Sequence, residues 1–265
     1  MQNEIKVMDV KFNNVSQAES LDLIFEYLKK DKKGYICTPN PEMLLETQKN
    51  DEFLNILNSS LLNIPDGIGI LWAAYNIKKH NSKLKALLNL PLIAFYPNKF
   101  KTVLKERVTG TDLLQKICEK ANNTLYKIFL LGAGAGIAEI TKEKLLEHSP
   151  ALNIVGTYEG SPEEKDKNEI ISRVNNSQAD LLFVAFGAPK QEIWIAETLK
   201  DLKTVKIAIG VGGAYDFISG KRKRAPLWMQ KLGLEWFYRL IQEPTRIKRI
   251  YNAAIKFPYK IIKSL

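Results

Sequence analysis

Asp180-Leu181-Leu182-Phe183-Val184-Ala185-Phe186-Gly187-Ala188-Pro189-Lys190-Gln191-Glu192 decides the fold. After Asp180 the run to Phe186 is apolar and has the length of one buried strand. A glycine turn follows, and Pro189 then opens a helical pattern that lasts to Leu199. The same strand–loop–helix order recurs along the chain. Apolar runs at Tyr35–Thr38, Leu61–Ile64, Lys127–Leu131, Asn153–Val155 and Val205–Ile209 alternate with helical patterns at Thr111–Lys120, Ile137–Glu147 and Pro162–Asn175. Such alternation predicts an α/β fold, a largely parallel sheet with helices on both faces. Ahead of it, residues 4–11 alternate as a strand. Ser16 and Glu19 then have the spacing of a capping box for a helix reaching about Lys30.

The strand ends are equally informative. Thr38-Pro39-Asn40-Pro41-Glu42, Pro65-Asp66-Gly67-Ile68-Gly69, Gly132-Ala133-Gly134-Ala135-Gly136, Gly187–Glu192 and Gly210-Val211-Gly212-Gly213-Ala214 each follow an apolar run. In a parallel sheet these carboxyl ends line one crevice, where ligands bind. Glycine lets a phosphate approach the backbone, and the next helix offers it free N–H groups.

Charge is distributed unevenly. Of 39 basic residues 12 lie in 221–265, together with only two of the 29 acids, Glu235 and Glu243. The remaining 27 of each sign cancel, so the last 45 residues hold the whole net charge of +10. A neutral body with a basic end calls for an anionic partner: nucleic acid, an anionic membrane or a phosphorylated substrate. No run of about 18 apolar residues spans a bilayer, and the first residues lack a signal peptide's apolar stretch. Cys37 and Cys118 read as two buried thiols.

Several chemistries fit poorly. Gly132, Gly134 and Gly136 are spaced G-x-G-x-G, and the dinucleotide fingerprint would need glycine where Ile137 stands. His80 and His148 have no partner motif for zinc or for a catalytic triad. A nucleic-acid-binding protein suits the tail, yet the body carries no recognisable nucleic-acid module.

Taken in order, Thr38–Glu42, Asp66–Gly69, Arg107-Val108-Thr109-Gly110-Thr111-Asp112-Leu113, Pro189–Trp194, Gly210–Asp216, Arg224-Ala225-Pro226-Leu227-Trp228 and Gly233-Leu234-Glu235-Trp236 through Glu243-Pro244 resemble the WecG/TagA/CpsF glycosyltransferase family over nearly the whole chain. The resemblance implies a Rossmann-like body at 1–221 and a helical C-terminal appendage at 222–265 that reaches the membrane and completes the active site. It implies inverting transfer of a hexose, N-acetylmannosamine above all, from a UDP-sugar donor to a sugar on a polyprenyl diphosphate. UDP-glucose or another UDP-hexose is the alternative donor. The products would feed teichoic acid or surface polysaccharide, with the enzyme peripheral on the cytoplasmic face of the cell membrane. No nucleic acid is expected, and the oligomeric state is left open. One departure stands out: residues 81–105 carry roughly 20 more positions than the family's link between the Asp-Gly motif and Arg107. A second membrane element, an acceptor-site lid, an oligomer contact and a packed excursion all fit that insertion.

Asp66 is the candidate base, with helix capping as the structural alternative. Thr38, placed beside it as catalytic, and Asn40 suit sugar hydroxyls or an acetamido group, or an ordinary turn around two prolines. No Asp-x-Asp pair occurs in the sequence, so metal and cofactor are both expected to be unnecessary. The leaving diphosphate then falls to helix N-termini and to Arg107, Arg239, Arg246 and Arg249, each otherwise a solvated charge. Gln191, Gly132, Gly212 and Gly213 complete the substrate-binding candidates. In the tail, Pro226 and Pro244 are expected to open basic, aromatic-rich amphipathic helices suited to an anionic bilayer surface.

Overall fold

A computed structural model describes residues 4–226, 229 and 235–265, without the side chains of 235, 236 and 239. Six parallel strands form one sheet in the order β4-β3-β8-β7-β5-β6: β3 Gly34–Cys37, β4 Leu62–Asn63, β5 Ile128–Gly132, β6 Ile154–Tyr158, β7 Leu181–Ala185 and β8 Ile207–Gly210. Strand side chains alternate between two cores, as pleating requires. Tyr35, Cys37, Leu182, Val184 and Ala208 enter one, while Ile36, Leu181, Phe183, Ile207 and Ile209 enter the other. Helices cover both faces, which is the expected α/β architecture.

The stretch 4–11 is not one strand. Met8 and Asp9 both take positive φ, 49° and 66°, and turn the chain into an antiparallel hairpin of β1 (Glu4–Val7) and β2 (Val10–Asn13). Two left-handed residues form the hairpin turn that follows strand twist, and neither Met nor Asp announces it as Asn-Gly would. Ser16 does cap α1 (Gln17–Lys29) in a full capping box with Glu19.

The next helices are α2 (Pro41–Thr47), α3 (Asp51–Asn58) and α4 (Ile68–Lys78). The extra segment forms α5 (Lys83–Asn89), the short α6 (Leu92–Phe95) and a 3-10 turn at Pro97–Thr102. Then come α7 (Gly110–Ala121), α8 (Ile137–His148), α9 (Glu164–Ser177), α10 (Lys190–Thr198) and α11 (Ala214–Ile218).

In the tail, α12 covers Glu235–Gln242. Of the helix expected from Pro226, residues 227, 228 and 230–234 lie outside the described residues. Pro244 opens a 3-10 turn, followed by α13 (Ile247–Tyr251), a π-helical turn at Asn252–Lys256 and α14 (Phe257–Ser264). Pro258 has no N–H and its ring crowds the preceding turn, so a widened turn before it is the form a continuing helix takes. The tail is built into the body: Phe257 is fully buried, Ile261 is 1% exposed, and both belong to the core under α2, α4 and α5. Among the described residues, no helix is long and apolar enough to cross a membrane.

Candidate active site

A cleft of about 530 Å³ opens at the carboxyl ends of β4, β3, β8 and β7. Its floor comes from four of the five loops expected there: Thr38–Met43, Asp66–Gly69, Gly187 with Ala188, and Val211–Ala214. Arg107 and Thr109–Thr111 form one wall, the insertion's Leu90–Ala94 region a second, and the tail from Arg246 to Pro258 a third.

Backbone bonds tie the floor loops together. Asp66 N donates to Pro39 O at 3.0 Å, and Val108 N donates to Pro65 O at 3.0 Å. The Asp66 turn is thereby held between the Thr38 loop and the Arg107 loop. Gly67 takes φ +124°, a conformation open to glycine, and a Cβ there would lie 3.3 Å from Pro41 Cδ. Gly67, not Asp66, is the N-cap of α4, and no side-chain cap bond is made there. Asp66 itself is half-buried in the cleft floor.

The other candidates divide. Thr38, Asn40, Arg107, Gly212, Gly213, Arg246 and Arg249 all line the cleft beside Asp66. Asn40 also caps α2: its Oδ1 accepts from Glu42 N at 3.0 Å and Met43 N at 3.1 Å, which leaves its amide nitrogen for a ligand. Gln191 reaches the cleft but its amide is used inside the protein. Its Oε1 accepts from Gly187 N at 3.1 Å and Gly212 N at 3.0 Å, and its Nε2 donates to Glu192 Oε1 at 2.7 Å. These bonds hold two floor loops together. Gly132 is not among the cleft residues, because β7 separates β5 from β8 in the sheet. Its glycine is required by packing instead: a Cβ would meet the Ala185 backbone at 2.9 Å, and φ is +100°. The side chain of Arg239 lies outside the description.

The arginines come with carboxylates. Arg249 Nη2 lies 2.7 Å from Glu42 Oε2, joining the tail to α2. Arg246 pairs with Glu243, which also holds Arg222 Nε at 2.8 Å, and Arg222 reaches Asp216 at 3.2 Å. Arg222 lines the cleft and was not singled out, since in a basic run it looks like its neighbours. On the opposite wall Thr109 caps α7, its Oγ1 bonded to Asp112 Oδ2 at 2.7 Å, while Arg224 Nη1 holds Asp112 Oδ1 at 2.6 Å. Burial pushes the Asp112 carboxyl up, but the Arg224 and Thr109 hydrogen bonds together with the charges of Arg224 and Arg107 outweigh it, and the net shift is downward. Asp112 is thus a fixed anion that docks Arg224.

Behind the floor sits a residue that sequence reasoning missed. Glu192 is 1% exposed, and its Oε2 has no hydrogen-bond partner among the described residues. Burial pushes this carboxyl up to about 7, against the hydrogen bond from Gln191, which favours the charged form. It also raises the buried Cys37 thiol beyond what burial alone does. The helical period marks position 192 as inward-facing, and that was the available signal.

A wider depression of about 680 Å³ lies at the opposite, amino ends of β3, β8, β7 and β5, lined by Lys33, Lys127, Lys206, Asp31 and Asp180 among others. Lys206 is paired there with Asp31 at 2.6 Å and Asp180 at 3.3 Å. It holds no glycine loop or cleft carboxylate of the kind seen at the strand carboxyl ends.

What the cleft can do chemically is narrow: a half-buried carboxylate, Asp66, shares its lining with Arg107, Arg222, Arg246 and Arg249 and with glycine loops. A carboxylate can accept a proton, and guanidiniums take up a departing diphosphate's charge.

Comparison with known proteins agrees with that chemistry. The glycosyl transferase WecG/TagA/CpsF family matches residues 5–88 and 92–265. An N-acetylglucosaminyldiphosphoundecaprenol N-acetyl-beta-D-mannosaminyltransferase of Bacillus spizizenii is 31% identical over 226 residues, 85% of this chain and 78% of that protein. The protein of the same name in Bacillus subtilis is 29% identical over 264 residues, 99% of this chain and 92% of its own length. The chain therefore belongs to the WecG/TagA/CpsF family of glycosyl transferases.

Proposed function

We propose that this glycosyltransferase moves N-acetylmannosamine from a UDP-sugar to the N-acetylglucosamine of a polyprenyl-diphosphate-linked acceptor, with inversion, on the cytoplasmic face of the cell membrane. The relatives' names supply both sugars and the lipid. The observation that carries the reading is the shared cleft of Asp66, Arg107, Arg246 and Arg249. Asp66 takes the acceptor hydroxyl's proton as that oxygen bonds to the donor's anomeric carbon. The bond from that carbon to the diphosphate breaks on the opposite face, and UDP leaves with the electron pair. Its growing charge is met by the guanidiniums, whose planar forks match phosphate oxygens. The body 1–221 supplies the floor, and the appendage 222–265 supplies Arg246, Arg249 and the membrane contact.

A UDP-release assay tests this with a panel of UDP-sugars, UDP-glucose included, and polyprenyl-diphosphate-linked acceptors. UDP-N-acetylmannosamine with an N-acetylglucosamine acceptor is expected to turn over fastest, and EDTA to leave the rate unchanged. Release with no donor in the panel defeats the reading. Loss in EDTA with recovery on Mg²⁺ or Mn²⁺ defeats the account of the leaving group.

A further inference from the structure

The segment 81–105 is built inside out. Helix α5 buries Ala86 and Asn89 and turns Leu84, Leu87 and Leu88 to solvent, with Leu84 and Leu88 each 67% exposed. The next turn leaves Phe95 73% and Tyr96 66% exposed. A water-facing helix ordinarily does the reverse.

The inversion is held in place. Asn81 and Asn89 both donate to Asn76 Oδ1, at 3.0 and 3.3 Å, and Lys99 Nζ donates to Asn89 Oδ1 at 2.7 Å. Phe100 is fully buried, edge-on to Tyr75 with centroids 5.4 Å apart. The insertion is therefore anchored to α4 by its polar and aromatic residues, which keeps its leucines outward.

Two more observations identify what covers this face. From 81 to 105 the sequence has five lysines and no acid. A second apolar face lies in the tail, where Ile247, Tyr251, Ile255 and Tyr259, each fourth residue, are all more than half exposed. The two elements touch, α14 packing on α5, and both contribute a wall to the same cleft. An apolar face on a segment that carries lysines and no acid suits an anionic lipid surface, where the rings and leucines enter the headgroup layer. A second copy docked through the same face would bring like charges together.

We propose that residues 83–96 form a second membrane-contacting element, seated on anionic lipid beside the tail, with the cleft opening between them toward the bilayer. This rests on the reading of the tail as a membrane contact.

The test is sedimentation of the full chain with phosphatidylglycerol–phosphatidylcholine vesicles, against phosphatidylcholine alone. Leu84→Gln/Leu88→Gln/Phe95→Ser is expected to lower the partition coefficient at least 10-fold. Because these side chains do not line the cleft, thermal melting and transfer to a water-soluble short-chain acceptor should stay unchanged. If that variant binds as the wild type while Tyr251→Ser/Ile255→Ser/Tyr259→Ser is released, the insertion is not a membrane element and the tail reading stands. A wild-type chain that ignores anionic vesicles overturns both. A solution dimer that the insertion variant splits makes the face a self-contact and overturns the proposal. As a readout independent of that variant's folding, a polarity-sensitive dye on Leu87→Cys should shift to the blue on anionic vesicles, and no shift overturns the proposal.

Discussion

Arg249 and Glu42 meet across 207 residues of chain, with Nε at 2.8 Å and Nη2 at 2.7 Å from the same carboxylate oxygen. The contact closes one side of the cleft by fastening the tail to the helix that follows the Thr38 loop. A guanidinium has five donors, so one fork edge holds Glu42 while the other N–H groups stay available to a diphosphate.

Replacing Arg249 with alanine should therefore separate stability from activity. The Arg249 side chain is 54% exposed, and an ion pair so exposed contributes less than about 1 kcal/mol. Turnover should fall about 100-fold, the scale for losing one donor to transition-state charge. Arg249→Lys should recover only part, since it keeps the charge and loses the fork. Chemical denaturation and steady-state UDP release measure the two effects. Equal activity of alanine variant and wild type removes Arg249 from the reaction.

Asp66→Asn is isosteric and leaves the Asp66 N to Pro39 O bond intact. UDP binding and melting temperature should persist, while turnover drops about 100-fold or more for want of a base. Calorimetric UDP titration beside the transfer assay decides it. Near-normal turnover in a folded variant would assign the proton to another group.

Glu192 predicts a pH signature in stability. Folded, its carboxyl holds a proton up to about pH 7, and unfolded it releases it near 4.5. Between those values the unfolded chain binds fewer protons, so this group's contribution to stability falls as pH rises, by about 3 kcal/mol in all. Glu192→Gln mimics the protonated form and keeps the bond from Gln191. It should melt like wild type at pH 4 and several degrees higher at pH 8. Identical melting curves at both pH values would show that the buried carboxyl is not strained.

Phe257→Ala should be far more damaging than any exposed tail substitution. Phe257 is fully buried, and a Cβ added to Gly69, in the first turn of α4 after the Asp66 loop, would lie 3.7 Å from its ring. Emptying such a site costs about 3–5 kcal/mol, a fall in melting temperature on the order of 10 °C. Scanning calorimetry checks it, and a loss under 2 °C would mean that the tail is not part of the folded body.

The sheet was legible because its central strands β5, β7 and β8 are apolar through their length and helices such as α7 and α9 are periodic, so local pattern and global fold agree there. The cleft floor was legible too, since Thr38, Asp66 and Gly212 stand at the ends of such strands. Gly132 stood at one as well, and strand order removed it; order is set by which helix crosses which face, which a glycine does not report. Gln191 had the right place, but its structural bonds were not legible, because its partners Gly187 and Gly212 come from separate loops. The outward face of α5 was illegible in detail: Leu84 and Leu88 look like core until Asn76 is seen gathering the insertion's asparagines.

The Gln191 carbonyl, shared by Gly187 and Gly212, makes the ends of β7 and β8 a single mechanical piece. Neither loop can shift to admit a different sugar without the other. Adaptation to a new substrate is thus channelled away from this side of the floor and into the Arg107, insertion and tail walls. Grafting those walls between relatives should change what is accepted, whereas loop-by-loop redesign around Gln191 should yield only weakened copies of the original preference.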